Sequence, residues 1–372
     1  MGKKRILQIN KLYYPYVGGI ERVVQQIAEG LADKTDMKVL VSSEKKKLIE
    51  EEINGVQVIR VPSIAMVGNL PVPLGLTKKL RSLRHEVDVI HLHMPYPFGD
   101  LACLLSNYKG KIVVWWHSDV VRQKKMMLLY KPIMNRMLKR ADVIIVATKG
   151  HIEGSEYLKP FRDKCIIVPF GVDQKIEYEA DKYIVEPKEQ ECETSKVQFL
   201  FIGRLIYYKG CKVLLEAFKD VENAKLTMVG SGDMEQELKD LAKSYHIEDK
   251  VDFCGEVAEE ELYEHLKSCD VFVLPSIVRS EAFGLVQIEA MAFGKPVINT
   301  NLPSGVPYVS LDKITGLTVP PEDVQALAKA MQWLVDHEEE RNEMGRMARK
   351  RMKEEYRMET MLERVFEVYE TL

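Results

Sequence analysis

The chain has little that would staple it together. Its six cysteines (Cys103, Cys165, Cys192, Cys211, Cys254 and Cys269) are scattered through 372 residues and form no C-x-x-C pair. That pattern suits reduced thiols and argues against a disulfide frame or a zinc site. No apolar run approaches the ~18 residues that a membrane-crossing helix needs. The opening MGKKRILQIN is basic, but its apolar run is too short for a signal peptide. An excess of one charge is lacking as well. The 53 Lys and Arg face 56 Asp and Glu, which argues against a general nucleic-acid binder. Low-complexity tracts and short repeats are absent. What remains is the expectation of a cytoplasmic protein long enough for two domains.

What is present is a rhythm. Short Val- and Ile-rich runs alternate with helical segments: RILQIN, KVLVSS, VQVIRVP, DVIHLHM, KIVVWWH, DVIIVAT and CIIVPFG in the first half. Their continuous apolarity predicts parallel strands buried on both faces, with helices as crossovers. Residues 174 to 196 break the rhythm; polar, charged and aperiodic, they read as a linker. The alternation then resumes with VQFLFIG, KLTMVGSG, VDFCGEV, DVFVLPS, PVINTN and GLTVPP. The fold class expected is α/β, two doubly wound units that bind ligands at the carboxyl ends of their strands.

Several loops fall at those strand ends. In YYPYVGGIERVV, Gly18 and Gly19 precede a helix, where bare backbone can approach a phosphate; a plain tight turn is the alternative. GRLIYYKG offers Arg204 and Lys209, able to meet a diphosphate as fork and point charge, or simply two solvated cations. Both sit at a strand end, so substitution there is expected to cost turnover and leave melting almost unchanged. In SEAFGLVQIEAMAFGKPVI, helical spacing begins at Leu285 and stops at Gly294 and Pro296. Glu289 is then helical, while Glu281, Phe283 and Gly284 lie in the loop before it. The two carboxylates can line one pocket, with the free N–H groups of the first turn favouring an anion between them. His117 ends a buried strand and is either a hydrogen-bonding group facing a substrate or a satisfied core histidine. His91 and His93 share a strand face, but the sequence offers no third metal ligand near them. Between Arg122 and Arg140 seven cations, among them Lys124, Lys125 and Lys131, occur without an acid beside Met126, Met127, Leu128, Leu129 and Tyr130. Such a segment can lie on an anionic membrane or serve as a crossover helix with its cations in water.

With these residues in place the chain resembles a family 4 retaining glycosyltransferase of the glycosyltransferase-B fold. The likeness runs over Gly18-Gly19-Ile20-Glu21, His117, PFGVD at 169 to 173, GRLIYYKG, VGSGD and the E-x7-E element from Glu281 to Glu289. WWHSD and NTNLPSGVP look most like bacterial enzymes that extend surface polysaccharides with mannose, glucose or rhamnose. The resemblance implies two Rossmann-like domains facing across a cleft: 1–172 on the acceptor side, a linker at 173–196, and a nucleotide-sugar domain at 197–355. A C-terminal helix at about 356–372 returns to the first domain. It also implies roles. Arg204 and Lys209 neutralise the donor diphosphate; Glu289 holds the ribose and Glu281 the transferred sugar. The N–H groups of Phe283, Gly284 and Leu285 meet sugar and phosphate, Gly18 and Gly19 the diphosphate, and His117 the sugar. The base lies by Gly255 and Val257. Phe170 stands where many relatives have Asn.

The implied substrates are a nucleotide sugar, GDP-mannose or a UDP-hexose, and a glycan or polyprenyl-linked acceptor, with no cofactor, no metal and no nucleic acid. Peripheral contact with the inner face of the membrane goes with the basic segment. A nicotinamide oxidoreductase would need a G-x-G-x-x-G after the first strand, which is missing. A sugar-nucleotide epimerase shares the architecture. A non-catalytic nucleotide-sugar-binding subunit would be expected to lack Arg204, Lys209 or Glu281.

Overall fold

The computed structural model describes residues 2–16, 18–67, 70–120, 124–185 and 196–372. The chain divides into two compact units. The first comprises Met1–Ala147, Ser155–Pro169 and Met361–Leu372. Its strands are β1 (Arg5–Ile9), β2 (Asp36–Ser43), β3 (Ile49–Ile53), β4 (Val56–Val67), β5 (Leu70–Pro73), β6 (Val89–Met94), β7 (Lys111–Trp116), β8 (Val143–Val146) and β9 (Cys165–Ile167). They lie in the order β3-β4-β2-β1-β6-β7-β8-β9, with β5 on β4. The runs read from the sequence as strands are parallel in this sheet, as their apolarity requires: Ile6, Leu7, Leu40, Ile90, Leu92, Val113 and Val114 are all buried.

The sequence reading missed β3 and β5. IEEEI and LPVP pair antiparallel with β4, and the three glutamates of β3 are exposed. A charged strand on a sheet edge resists further pairing, and its ladder comes from the neighbour instead of its own composition.

The second unit comprises Thr148–Gly154 and Phe170–Thr360. Its strands are β10 (Val197–Ile202), β11 (Ala224–Val229), β12 (Val251–Gly255), β13 (Val271–Val273), β14 (Val297–Thr300) and β15 (Gly316–Val319), all parallel, in the order β12-β11-β10-β13-β14-β15. One core of Phe199, Phe201, Leu214, Phe218, Leu226, Met228, Val271 and Met331 fills the space between sheet and helices. In each sheet the strand order reverses direction once, between β1 and β6 and between β10 and β13. Loops leave such a reversal on opposite faces and open a crevice between them.

The expected linker needs correction. Residues 174 to 185 form a helix, Gln174–Val185, within the second unit. Ile176 and Ala180, one turn apart, are buried. Glu177 and Asp181 pair with Lys353, which lies 2.7 Å from each, while Arg357 also meets Glu177 and Arg349 meets Asp181. Residues read as solvated charge are thus neutralised by partners almost two hundred positions away. Residues 186–195 of the expected linker lie outside the described residues. Thr148–Gly154, which the sequence put in the first domain, groups with the second unit. A Cβ at Gly150 would lie 2.2 Å from the Ser304 carbonyl oxygen, and one at Gly154 2.3 Å from that of Pro303, so two glycines allow this backbone-to-backbone approach. The final helix is Met358–Thr371. Its Tyr369 is buried in the first unit against His91, and Lys4 donates to the Glu370 carbonyl at 3.2 Å.

Candidate functional site

In the second unit the strand-end loops are stitched backbone to backbone. Gly230 N–H donates to Gly255 O, Gly203 N–H to Val229 O, Leu205 N–H to Ser231 O and Ile277 N–H to Tyr208 O, all at 2.7–2.9 Å. The contacts are close because side chains are missing where they would collide. A Cβ on Gly230 would meet Gly203 O at 2.1 Å and one on Gly210 would meet Pro275 O at 1.9 Å, both glycines having positive φ. The loops after β10, β11, β12 and β13 therefore form one rigid rim around the reversal point of the sheet.

Lys209 and Glu281 stand on the two loops that flank that point. Their Nζ and Oε2 are 2.6 Å apart, with side chains only 12% and 11% exposed. The sequence reading gave Lys209 to the diphosphate and Glu281 to the sugar; the fold brings them together as an ion pair. Ser276 Oγ lies 3.4 Å from the same carboxylate oxygen. Arg204 projects into solvent and donates from Nη2 to the Tyr208 hydroxyl at 3.0 Å. One of the two cations is thus neutralised by a nearly buried carboxylate, while the other stays in water. This changes the expectation that both could be removed without loss of stability.

The loop ends as the spacing predicts. Gly284 is left-handed, φ 73°, and caps the helix Leu285–Ala292, which carries Glu289 half-buried on its first turns. A Cβ at Gly284 would fall 2.5 Å from Leu274. Phe283 is buried edge-on against Phe170 with ring centres 5.0 Å apart, so the residue standing in place of Asn packs here as an apolar wall. Gly255 has φ 69° with open space where a Cβ would be, and Val257 is half-buried two residues on.

Sequence reading missed the group that holds this loop. Gln287, fully buried, donates to Phe283 O at 2.8 Å and accepts from Asn299 Nδ2 at 2.9 Å; Asn299 also donates to Val306 O and Ser310 O. A glutamine on an apolar helix face and an asparagine inside an Ile-Asn-Thr strand were the available signals. Each is a buried amide that must find partners.

In the first unit, Gly18 lies in extended backbone and the helix Gly19–Gly30 begins immediately after it. A Cβ on Gly18 would strike Glu21 Oε2 at 2.3 Å, so the glycine makes room for that carboxylate, which Lys11 approaches at 3.5 Å. His117, just past the end of β7, is 5% exposed. Its Nε2 is 2.9 Å from His93 Nδ1, and His93 Nε2 is 2.8 Å from Gln8 Oε1. His91 Nδ1 instead meets the Tyr369 hydroxyl at 2.6 Å. Burial pushes the His91 ring down to about 3 and holds His93 well below the usual histidine range, with His91 and His117 adding to the latter effect. Among the described residues no cluster of three His, Cys, Asp or Glu is arranged around a metal position.

The basic segment forms the helix Lys124–Arg140. Arg122 and the side chains of Lys124 and Lys125 lie outside the described residues, and Lys131 is exposed. The apolar residues of the segment divide. Met127 and Tyr130 are buried, Tyr130 donating to the Asp100 carboxylate, whereas Leu128 and Leu129 are 79% and 80% exposed. Of the five apolar residues that stand beside the cations, two pack inward. No described helix is long and apolar enough to cross a membrane.

Comparison with known proteins identifies the family. A Glycosyltransferase Family 4 model matches residues 17–175, and a model of glycosyl transferases group 1 matches residues 184–351. O-antigen chain mannosyltransferase C of Escherichia coli is 32% identical over 99% of this chain and 98% of its own. D-rhamnosyltransferase WbpZ of Pseudomonas aeruginosa is 33% identical over 94% and 91%. Among solved structures, HepE of Anabaena in complex with UDP superposes with a TM-score of 0.78 at 18% identity, covering 99% of this chain and all of that one. The chain is a glycosyltransferase of family 4 with the glycosyltransferase-B fold, akin over its whole length to bacterial enzymes of surface-polysaccharide synthesis.

Proposed function

We propose that the protein transfers a hexose from a nucleoside-diphosphate sugar to a hydroxyl of a glycan or polyprenyl-linked glycan, with retention at the anomeric carbon and without a metal ion. The relatives named for mannose and D-rhamnose transfer favour a mannose-configured donor, while UDP in the superposed structure keeps a UDP-hexose in play. The observation that carries the reading is the Lys209–Glu281 pair at the sheet's reversal point, with solvent-exposed Arg204 on the same loop as Lys209 and a helix start at Leu285. Arg204 and Lys209 stabilise charge on the departing diphosphate, Glu281 and the N–H groups of Phe283, Gly284 and Leu285 hold the sugar, and Glu289 takes the ribose. Gly255 and Val257 lie toward the base. Gly18 and Gly19 are assigned to the diphosphate and His117 to the sugar.

The chemistry is a displacement in which the C1–O bond to the diphosphate breaks as the acceptor oxygen bonds C1 on the same face. The acceptor proton passes to the leaving oxygen, so no protein nucleophile is needed. Positioning and fixed charge supply the rate. Exposed Leu128 and Leu129 beside Lys131 favour peripheral contact with an anionic membrane, where a lipid-linked acceptor would reside. A calorimetric panel of nucleotide sugars and free nucleotides, followed by transfer assays with the hit, tests the reading. Failure of every nucleotide sugar to bind would end it.

A further inference from the structure

Beside the helix Lys124–Arg140 the first unit holds a cavity of about 490 Å³, within the range of about 300–1,000 Å³ for small-ligand clefts. The helix lines it with Lys131, Asn135, Arg136 and Lys139. The segment that leads into β9 lines it from the other side with Tyr157, Pro160 and Phe161. The two walls are tied to each other and to the sheet. Lys164 Nζ donates to the carbonyls of Lys139 at 2.8 Å and Ala141 at 2.7 Å, satisfying two orphan groups at the helix end. Tyr157 leans on buried Trp116 with ring centres 6.2 Å apart, and Leu158 is fully buried.

The charge in this cavity is uncompensated. Lys131, Arg136 and Lys139 are exposed, and among the described residues none of the three has an ion-pair partner. Glu156, the one acid among the described lining residues, is paired with Lys159. Three cations match an anion that carries more than one charge. Arg136 offers such an anion a planar fork, and the Asn135 amide is a further donor. A phosphate monoester carries about −1.5 to −2 charges at neutral pH.

The same helix faces continue into apolar surface. Seven residues turn through about 700°, about 20° short of two turns, so Leu128 stands over Asn135 and Leu129 over Arg136. These leucines are 79% and 80% exposed. An anion site and an apolar step thus follow one another about 10 Å apart along one helix. That sequence of surfaces fits an amphiphile with an anionic head and a hydrocarbon chain.

We infer that the cavity is a head-group site for a lipid phosphate monoester, whose chain lies over Leu128 and Leu129. The inference rests on the proposed membrane contact of this helix and deepens it. A diffuse basic face responds to the charge density of a surface alone, whereas a walled cavity selects among head groups. Phe161 and Tyr157 supply the wall, and Arg136 supplies the geometry.

The test is co-sedimentation of the full-length protein with phosphatidylcholine vesicles that contain phosphatidic acid or phosphatidylserine, matched in zeta potential. Binding to the phosphatidic acid vesicles should be about tenfold tighter. Arg136→Lys keeps the charge and loses the fork; Phe161→Ala keeps every charge and opens the wall. Each should reduce the preference to about twofold or less, with binding to phosphatidylserine and the melting temperature of Arg136→Lys unchanged. By calorimetry, short-chain phosphatidic acid below its micelle concentration should bind wild type and fail on Arg136→Lys. Glycerol 3-phosphate, the same head without chains, should bind at least about tenfold more weakly.

Equal affinity for the two matched vesicles overturns the cavity and leaves a diffuse electrostatic contact. An unchanged preference in both Arg136→Lys and Phe161→Ala places recognition elsewhere and overturns it too. Glycerol 3-phosphate binding as tightly as the short-chain lipid overturns the lipid assignment, because the ligand would then be a soluble phosphate ester. No sedimentation with either vesicle ends the membrane contact itself. The transferase reading is judged separately by the nucleotide-sugar panel and survives each of these results.

Discussion

Replacing Lys209 by methionine separates its part in folding from its part in chemistry. The substitution keeps the aliphatic stem and deletes the charge that lies 2.6 Å from a carboxylate only 11% exposed. At that distance and an effective dielectric of about 20, the Coulomb attraction is roughly 6 kcal/mol before desolvation is subtracted. Removing one partner of a nearly buried pair costs about 3–5 kcal/mol net, because the other charge is left behind. The Ser276 hydroxyl still reaches Glu281 at 3.4 Å, which argues for the lower end, about 3 kcal/mol. For a unit of this size that lowers the melting temperature by about 6–12 °C. Lys209→Met/Glu281→Gln removes both charges and should regain most of the loss, since a neutral pair leaves nothing stranded. Turnover should behave differently. Loss of the charge at the leaving diphosphate should cost ~10²-fold or more, and the double variant should stay as slow as the single one. Arg204→Ala is the counterpart: exposed and donating to a tyrosine hydroxyl, it should lose similar turnover while stability moves by no more than about 0.5 kcal/mol. Calorimetry and a transfer assay read the two axes. Near-wild-type turnover in the double variant would refute the reasoning, for the pair would then be structural and nothing more.

Four further outcomes are expected. Transfer should continue in excess EDTA and give an α-linked product from an α-linked donor; restoration of lost activity by manganese, or a β coupling in the proton spectrum, would overturn the proposed chemistry. Burial pushes the Asp100 carboxyl up to about 8, opposed by its hydrogen bond from Tyr130, so folding gains from its proton below the unfolded pKa of about 3.9 and loses that gain as pH rises toward 8. Asp100→Asn should therefore gain on wild type in denaturant titrations between pH 5 and 8, and a constant difference would rule this out. Gly284→Ala, forced to hold φ 73° with its Cβ against Leu274, should lose about 1–2 kcal/mol or more and weaken donor binding; an unchanged melt would show that the cap relaxes freely. The protein should co-sediment with anionic liposomes at low salt and be released near molar salt, and Leu128→Ser/Leu129→Ser or joint replacement of Arg122, Lys124, Lys125 and Lys131 by Ser should abolish it. Equal sedimentation with neutral vesicles would leave the helix as an ordinary crossover.

The sequence by itself determined the architecture and the ends of the strands. Continuous apolar runs can only be buried on both faces, so RILQIN, KIVVWWH and VQFLFIG had to become interior parallel strands, and the loops after them had to gather at one edge. The stop at Gly294-Lys295-Pro296 and the glycine before Leu285 were equally legible, because local backbone chemistry decides a helix end. Tertiary structure alone decided which charges meet. Nothing local to Lys209 or Glu281 says that they form an ion pair, since 72 residues and a sheet reversal separate them. Gln174–Val185 looked like a linker because its acids find Arg349, Lys353 and Arg357 only after folding. IEEEI became a strand because β4 offered it a free edge. The contacts of His117 with His93 and of His93 with Gln8 likewise appear only in the fold, Gln8 being a residue that pattern alone would count as an interruption in an apolar strand. Periodicity records which side of an element faces the core; it carries no record of which buried polar group lies opposite.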